Sequence, residues 1–66
     1  SMLYVNGKET PYRPDMPLAH LLEELGYDTK RIAVERNQEI VPKSQYETTR
    51  LEEGDHLEVV RFVGGG

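Results

Sequence analysis

The groups with the most distinctive chemistry in this chain stand at its last residues. Phe62-Val63 is followed by Gly64-Gly65-Gly66, and there the sequence stops. Glycine carries no Cβ, loses more backbone entropy on ordering than any other residue, and packs nothing. A flexible tail is therefore expected over 64–66, beyond a domain spanning 1–63. Three extended residues reach about 10 Å. Such a thread fits a channel too narrow for side chains and carries one reactive group, the α-carboxylate of Gly66. The plain alternative is a frayed end or a cloning remnant, because chain termini are commonly poorly ordered. The glycine run alone leaves both readings open.

The other residues able to do chemistry are scattered. His20 and His56 are the two histidines. Cysteine is absent, so a metal site would lack thiolate ligands, and disulfides and thiol nucleophiles are excluded with it. No metal ligands and no catalytic residues are assigned. Glu53 and Asp55 flank Gly54 and read as turn residues; paired-carboxylate catalysis needs a cleft that so small a core hardly provides. Ser44 has no histidine at a usable spacing and reads as a helix cap. The glycine tail is not a phosphate cradle either, since no helix follows to present its amides.

Size and charge narrow the field further. Sixty-six residues make one small domain. A chain this short buries about 60% of the surface its unfolded form exposes, so its apolar residues are committed to the core. The net charge of −4 disfavours nucleic acid, whose binding rests on neutralising phosphates. Lys30-Arg31 is the only adjacent basic pair, with Lys43 and Arg50 isolated. No apolar run approaches a membrane span, and no signal peptide pattern precedes the first strand. Ser1 reads as a cloning scar ahead of Met2, and a cytoplasmic protein is expected.

The elements that must present the tail can be read in order. Leu3-Tyr4-Val5 runs into Asn6-Gly7, a pair suited to the φ > 0 positions of a type I′ hairpin turn. Leu3 and Val5 should face inward and Tyr4 outward. The return strand contains Pro11, which lacks a ladder donor, so it belongs at a sheet edge. Leu18, Leu21, Leu22 and Leu25 form one helical stripe, each worth about 1.5–3 kcal/mol when buried. Pro17 suits the first helical turn, Asp15 or Met16 the cap, and Gly26 the C′ position. Ile32 to Glu35 alternates as a strand, Arg36-Asn37-Gln38 turns, and Glu39-Ile40-Val41 returns to Pro42. Ser44-Gln45-Tyr46-Glu47 matches a capping box, with Tyr46 folded onto the core. Leu51 is the next anchor, and Glu53-Gly54-Asp55 turns into the last strand, Leu57 to Val63. Strands around one helix give an α+β layer pair. The first and last strands are the most apolar and should be central, parallel neighbours. That arrangement is a β-grasp, with a mixed sheet of four to five strands on one main helix.

Alternation in the last strand puts Leu57 and Val59 on the helix side and Glu58, Val60 and Phe62 on the open side. Tyr4 should point the same way from the neighbouring strand. A contiguous Tyr4, Val60 and Phe62 patch beside the tail is expected to dock a partner. Scattered surface hydrophobes are the ordinary alternative.

Leu3-Tyr4-Val5-Asn6-Gly7, Leu21-Leu22-Glu23-Glu24-Leu25, Ala33-Val34-Glu35-Arg36-Asn37, Ile40-Val41-Pro42-Lys43-Ser44 and Glu53-Gly54-Asp55 through Gly65-Gly66 together resemble the ThiS family of bacterial thiamin sulfur carriers. The resemblance spans essentially the whole chain. Its Gly-Gly end is shared by ubiquitin-like carriers generally, the MoaD/ThiS superfamily among them. The Val-Pro-basic-Ser segment and the short length are more specific. Lys43 stands where the family usually has arginine. The resemblance implies a carrier and not an enzyme, with no bound cofactor. The Gly66 carboxylate would be adenylated by an E1-like, ATP-using partner of the ThiF type. Sulfur originating from cysteine, through a desulfurase system, would then displace AMP to leave a thiocarboxylate. A ThiG-type thiazole synthase would take that sulfur. Gly65 and Gly64 would thread into the partners' channels. The alternatives are a molybdopterin-type or other sulfur donor, a protein modifier with the same end chemistry, and a plain β-grasp interaction module.

Overall fold

In the computed structural model, which describes residues 1–63, the chain opens with strand β1 (Met2–Val5) and returns in β2 (Lys8–Pro11). Gly64, Gly65 and Gly66, the expected tail, lie outside the described residues. The turn between the strands has Asn6 at φ 51° and Gly7 at φ 80°, the two positive values a type I′ turn requires. Helix α1 (Leu18–Glu24) follows, then a single 3₁₀ turn at Thr29–Arg31. β3 (Ile32–Arg36) and β4 (Glu39–Val41) form a second tight hairpin, with Asn37 at φ 50° and Gln38 at φ 73°. Another 3₁₀ turn, Lys43–Gln45, leads to a loop and then β5 (His56–Arg61).

The sheet order is β2-β1-β5-β3-β4. β1 and β5 are parallel and the other pairs are antiparallel. The first and last strands are thus central neighbours, and the Pro11 strand holds an edge. Leu3, Val5, Ile32, Val34, Leu57 and Val59 form the inner face of the sheet, buried against Leu18, Leu21 and Leu22 of α1. Met16, Tyr46 and Leu51 close the core from the loops. This is a β-grasp. No helix among the described residues is long and apolar enough to cross a membrane.

Three local expectations are corrected. Leu25 is the helix C-cap and 41% exposed, so it leaves the stripe. There the chain departs through a Schellman turn, with Tyr27 N–H on the Leu22 carbonyl, Gly26 N–H on the Glu23 carbonyl, and Gly26 at φ 84°. Neither Asp15 nor Met16 caps the helix; Pro17 is the N-cap residue and makes no side-chain bond. The leading N–H groups are satisfied from elsewhere, Leu18 by the Thr49 carbonyl at 2.9 Å and Ala19 by the Tyr46 carbonyl at 2.8 Å. Finally, Ser44 caps nothing. Pro42, at φ −62°, starts the 3₁₀ turn immediately, and Tyr46 N–H closes it on the Lys43 carbonyl. The turn ends before Glu47 can reach back as a capping box demands. Tyr46 itself is buried as expected, and that burial raises its pKa.

Candidate functional site

The site to be built is the place where the fold releases the chain toward Gly64. Odd residues of β5 direct their backbone groups to β1 and even residues to β3. On the β3 side the ladder continues past the strand end, because Phe62 N–H donates to the Arg31 carbonyl at 2.9 Å. On the other side β1 has already ended at Val5, and a side chain takes its place. Val59 N–H donates to Asn6 Oδ1 at 2.8 Å, and Asn6 Nδ2 donates back to the Val59 carbonyl at 3.2 Å. The amide of Asn6 imitates one more residue of strand. The positive φ that makes Asn6 a turn residue also turns its side chain to this edge.

Two cations brace the exit. Lys43 Nζ lies 5.3 Å from the Phe62 ring centroid and donates to the Lys30 carbonyl at 2.8 Å. The Arg61 guanidinium lies 4.5 Å from the Tyr27 ring centroid. Cation–π contacts at exposed sites contribute about 0.5–1 kcal/mol. Beyond this bracing the hold ends, and Val63 is 99% exposed. The chain is therefore clamped through Phe62 and let go at the next residue.

Val60 and Phe62 are 59% and 56% exposed, and the Phe62 ring lies beside Lys43. The structure does not bring Tyr4 to Val60. The parallel register pairs Tyr4 with His56, and their rings stack with centroids 4.6 Å apart. Val60 lies four residues further along β5, about 13 Å away at strand rise. Tyr4 thus shares the face but sits toward its opposite end, and the contiguous patch expected from alternation is corrected to two separated parts. The reason is that Asp55 carbonyl accepts from Tyr4 N–H, a pairing that alternation alone does not specify. Gly64, Gly65 and Gly66 are the remaining expected site residues and lie outside the described residues.

Some contributors were not singled out from sequence. Asp55, read as a turn residue, is 5% exposed. It accepts from Arg36 Nε at 2.8 Å, Asn37 Nδ2 at 3.1 Å and Glu52 N–H at 2.8 Å. Burial alone would push its pKa up; the hydrogen bonds from Arg36, Glu52 and Asn37 and the Arg36 charge outweigh that and hold it below the usual aspartate value. This knot fixes the start of β5, as Asn6 fixes its end. Lys43 was noted only as a departure from a sequence pattern. The sequence does not mark these roles, because apart from Glu52, three residues from Asp55, the partners lie far along the chain.

His20 is exposed beside Glu24 at 3.5 Å, and His56 is stacked on Tyr4. Among the described residues no cluster of His, Cys, Asp or Glu could hold a metal ion. A hollow of about 520 Å³ between α1 and the 43–47 turn is lined by Glu23, Lys30, Lys43 and Glu47 among others. It holds no nucleophile paired with a base.

The ThiS family model matches residues 3–66. The sulfur carrier protein ThiS of Bacillus subtilis is 39% identical over 66 residues, covering 98% of this chain and 100% of that protein. A thiazole synthase of Paramagnetospirillum magneticum is 50% identical over 64 residues, covering 97% of this chain but 20% of its own length. The chain spans about a fifth of such relatives; a thiazole synthase of Magnetococcus marinus, 38% identical, is likewise covered over 20%. The crystal structure of the thiamine biosynthesis protein ThiS from Geobacter metallireducens superposes with a TM-score of 0.83 at 29% identity, covering 100% of both chains.

Proposed function

Because the chain belongs to the ThiS family, we propose that it is a sulfur carrier of thiamin biosynthesis and acts as a co-substrate of other enzymes, with no catalysis of its own. The carrying group is the Gly66 carboxylate. A carboxylate is a poor electrophile; an E1-like partner spends ATP to convert it to an acyl-adenylate, releasing pyrophosphate. A desulfurase passes cysteine sulfur on as a protein persulfide, whose outer sulfur attacks that carbonyl and displaces AMP. A second thiol then reduces the resulting S–S bond, forming a disulfide with the thiol that had borne the persulfide and leaving a thiocarboxylate on Gly66. Thiazole synthase then takes the sulfur. No cofactor is held by the carrier, and ATP belongs to the partner. A cytoplasmic setting accords with these partners.

The observation that supports this reading best is the exit from β5. The strand is held on the Asn6 side through Val59 and on the β3 side through Phe62, and Val63 beyond it is 99% exposed. Gly64 and Gly65 add no side chains that would clash in a channel. Ordering them costs about 1–2 kcal/mol per residue, to be recovered from partner contacts.

Intact-protein mass spectrometry tests the proposal. The 66-residue chain is incubated with the E1-like partner, ATP, cysteine, a cysteine desulfurase and a thiol reductant. The expected product has gained the mass of one oxygen replaced by sulfur. Removing Gly66 should abolish that product while leaving the melting temperature unchanged. An adduct linked to lysine would favour a protein modifier instead. Absence of any thiocarboxylate with the cognate partner would sink the carrier reading.

A further inference from the structure

The open face of the sheet has a charge pattern of its own. The register places Tyr4 with Glu9, Glu35 with both Glu58 and Ile40, and Ala33 with Val60 across it. Three carboxylates, Glu9, Glu35 and Glu58, therefore point outward. The strand cations do not. Lys8 pairs with buried Val5, Arg36 with buried Leu57, and Arg61 with buried Ile32, so all three lie on the helix side.

Glu35 and Glu58 are directly opposite in the antiparallel β3–β5 pair. Side chains so placed have Cβ atoms about 4.5–5.5 Å apart, and like charges there are destabilising. Among the described residues neither carboxylate has an ion-pair partner. The pair is flanked by two exposed aliphatics, Ile40 at 76% and Val60 at 59%. Two adjacent carboxylates without an ion-pair partner, with Ile40 and Val60 on one side and His56, stacked on Tyr4, on the other, complement a basic side chain with apolar neighbours.

We propose that this face docks thiazole synthase, and that a lysine or arginine of the enzyme seats between Glu35 and Glu58 while apolar groups around it cover Ile40 and Val60. The proposal rests on the carrier reading and names how one partner of that carrier is recognised. Thiazole synthase is the chosen occupant because relatives bearing that name contain this domain's sequence within their own length, so the two work side by side. Val60 leads along β5 directly to the exit at Val63, so an enzyme seated here would lie next to the emerging chain. Insertion of the cation removes the repulsion present in the free carrier and so favours the bound state twice over.

The test measures the affinity of the cognate thiazole synthase for the 66-residue chain by titration calorimetry at low and at moderate salt. Glu35→Gln and Glu58→Gln together should weaken binding about tenfold or more and flatten its salt dependence. Their melting temperature should hold or rise, since a repulsion is lost. Glu53→Gln, in the turn before β5, removes one charge elsewhere and should leave affinity unchanged. Equal weakening by Glu53→Gln, unchanged or tighter binding by the double variant, or no binding of the parent chain would each overturn the proposal. Thiocarboxylate formation by the same variants, read by mass, is expected to persist. Docking can thus fail while the carrier chemistry stands, and failure of both is visible as a missing thiocarboxylate in the parent chain.

Discussion

Asp55 shows how much a single carboxylate can hold in so small a domain. It is the one buried charged side chain among the described residues, and its bonds to Arg36, Asn37 and Glu52 join the β3–β4 hairpin to the loop ahead of β5. Replacing it by asparagine forfeits the ionic part of these bonds, and a loss of about 1.5–3 kcal/mol is expected in chemical denaturation. The pH dependence has a definite sign. The folded pKa is depressed, so the stabilisation is complete above the ordinary aspartate range, about pH 4, and is lost as pH falls through the folded value. Melting curves from pH 7 downward should therefore show a steeper acid loss in the parent chain than in Asp55→Asn. Equal slopes would mean that other carboxylates govern the acid limb.

At the scale of elements, the two hairpins and the helix owe their form to local sequence, whereas their joints do not. The leucine stripe, Asn6-Gly7 and the edge-seeking Pro11 were all legible because each acts on its immediate neighbours. The parallel pairing of β1 with β5 was legible from their apolar content. What escaped reading is where one element completes another: carbonyls of Tyr46 and Thr49 capping α1, and Asn6 finishing the β1 edge of β5. The Asn6 joint can be tested apart from its turn. Asn6→Gly keeps the positive φ but removes the amide, leaving Val59 without its partners, and should destabilise by about 1–3 kcal/mol. Amide exchange at Val59 should accelerate more than at Leu57, whose carbonyl still receives the backbone N–H of residue 6. Equal acceleration would place the effect in the turn instead. For the candidate site the division is the same. Alternation told that Val60 and Phe62 face outward, but the long-range register separated Tyr4 from Val60.

On the scale of the whole molecule, the chain joins its first strand to its last, and every other strand hangs from that pair. Neither hairpin has a hydrophobic layer of its own, and isolated hairpins are at best marginally stable in water. A fragment of residues 1–55 should accordingly show no cooperative melt by circular dichroism, although it contains α1 and four of the five strands. A sharp transition in that fragment would show that β5 is dispensable. The placement of β5 has a consequence for synthesis. A ribosome delivers the centre of this sheet after everything that packs around it, so folding waits until residue 61 has emerged. A chain broken off early offers no formed sheet. Translation itself thereby proofreads the domain, because only a product made through β5 acquires the folded shape.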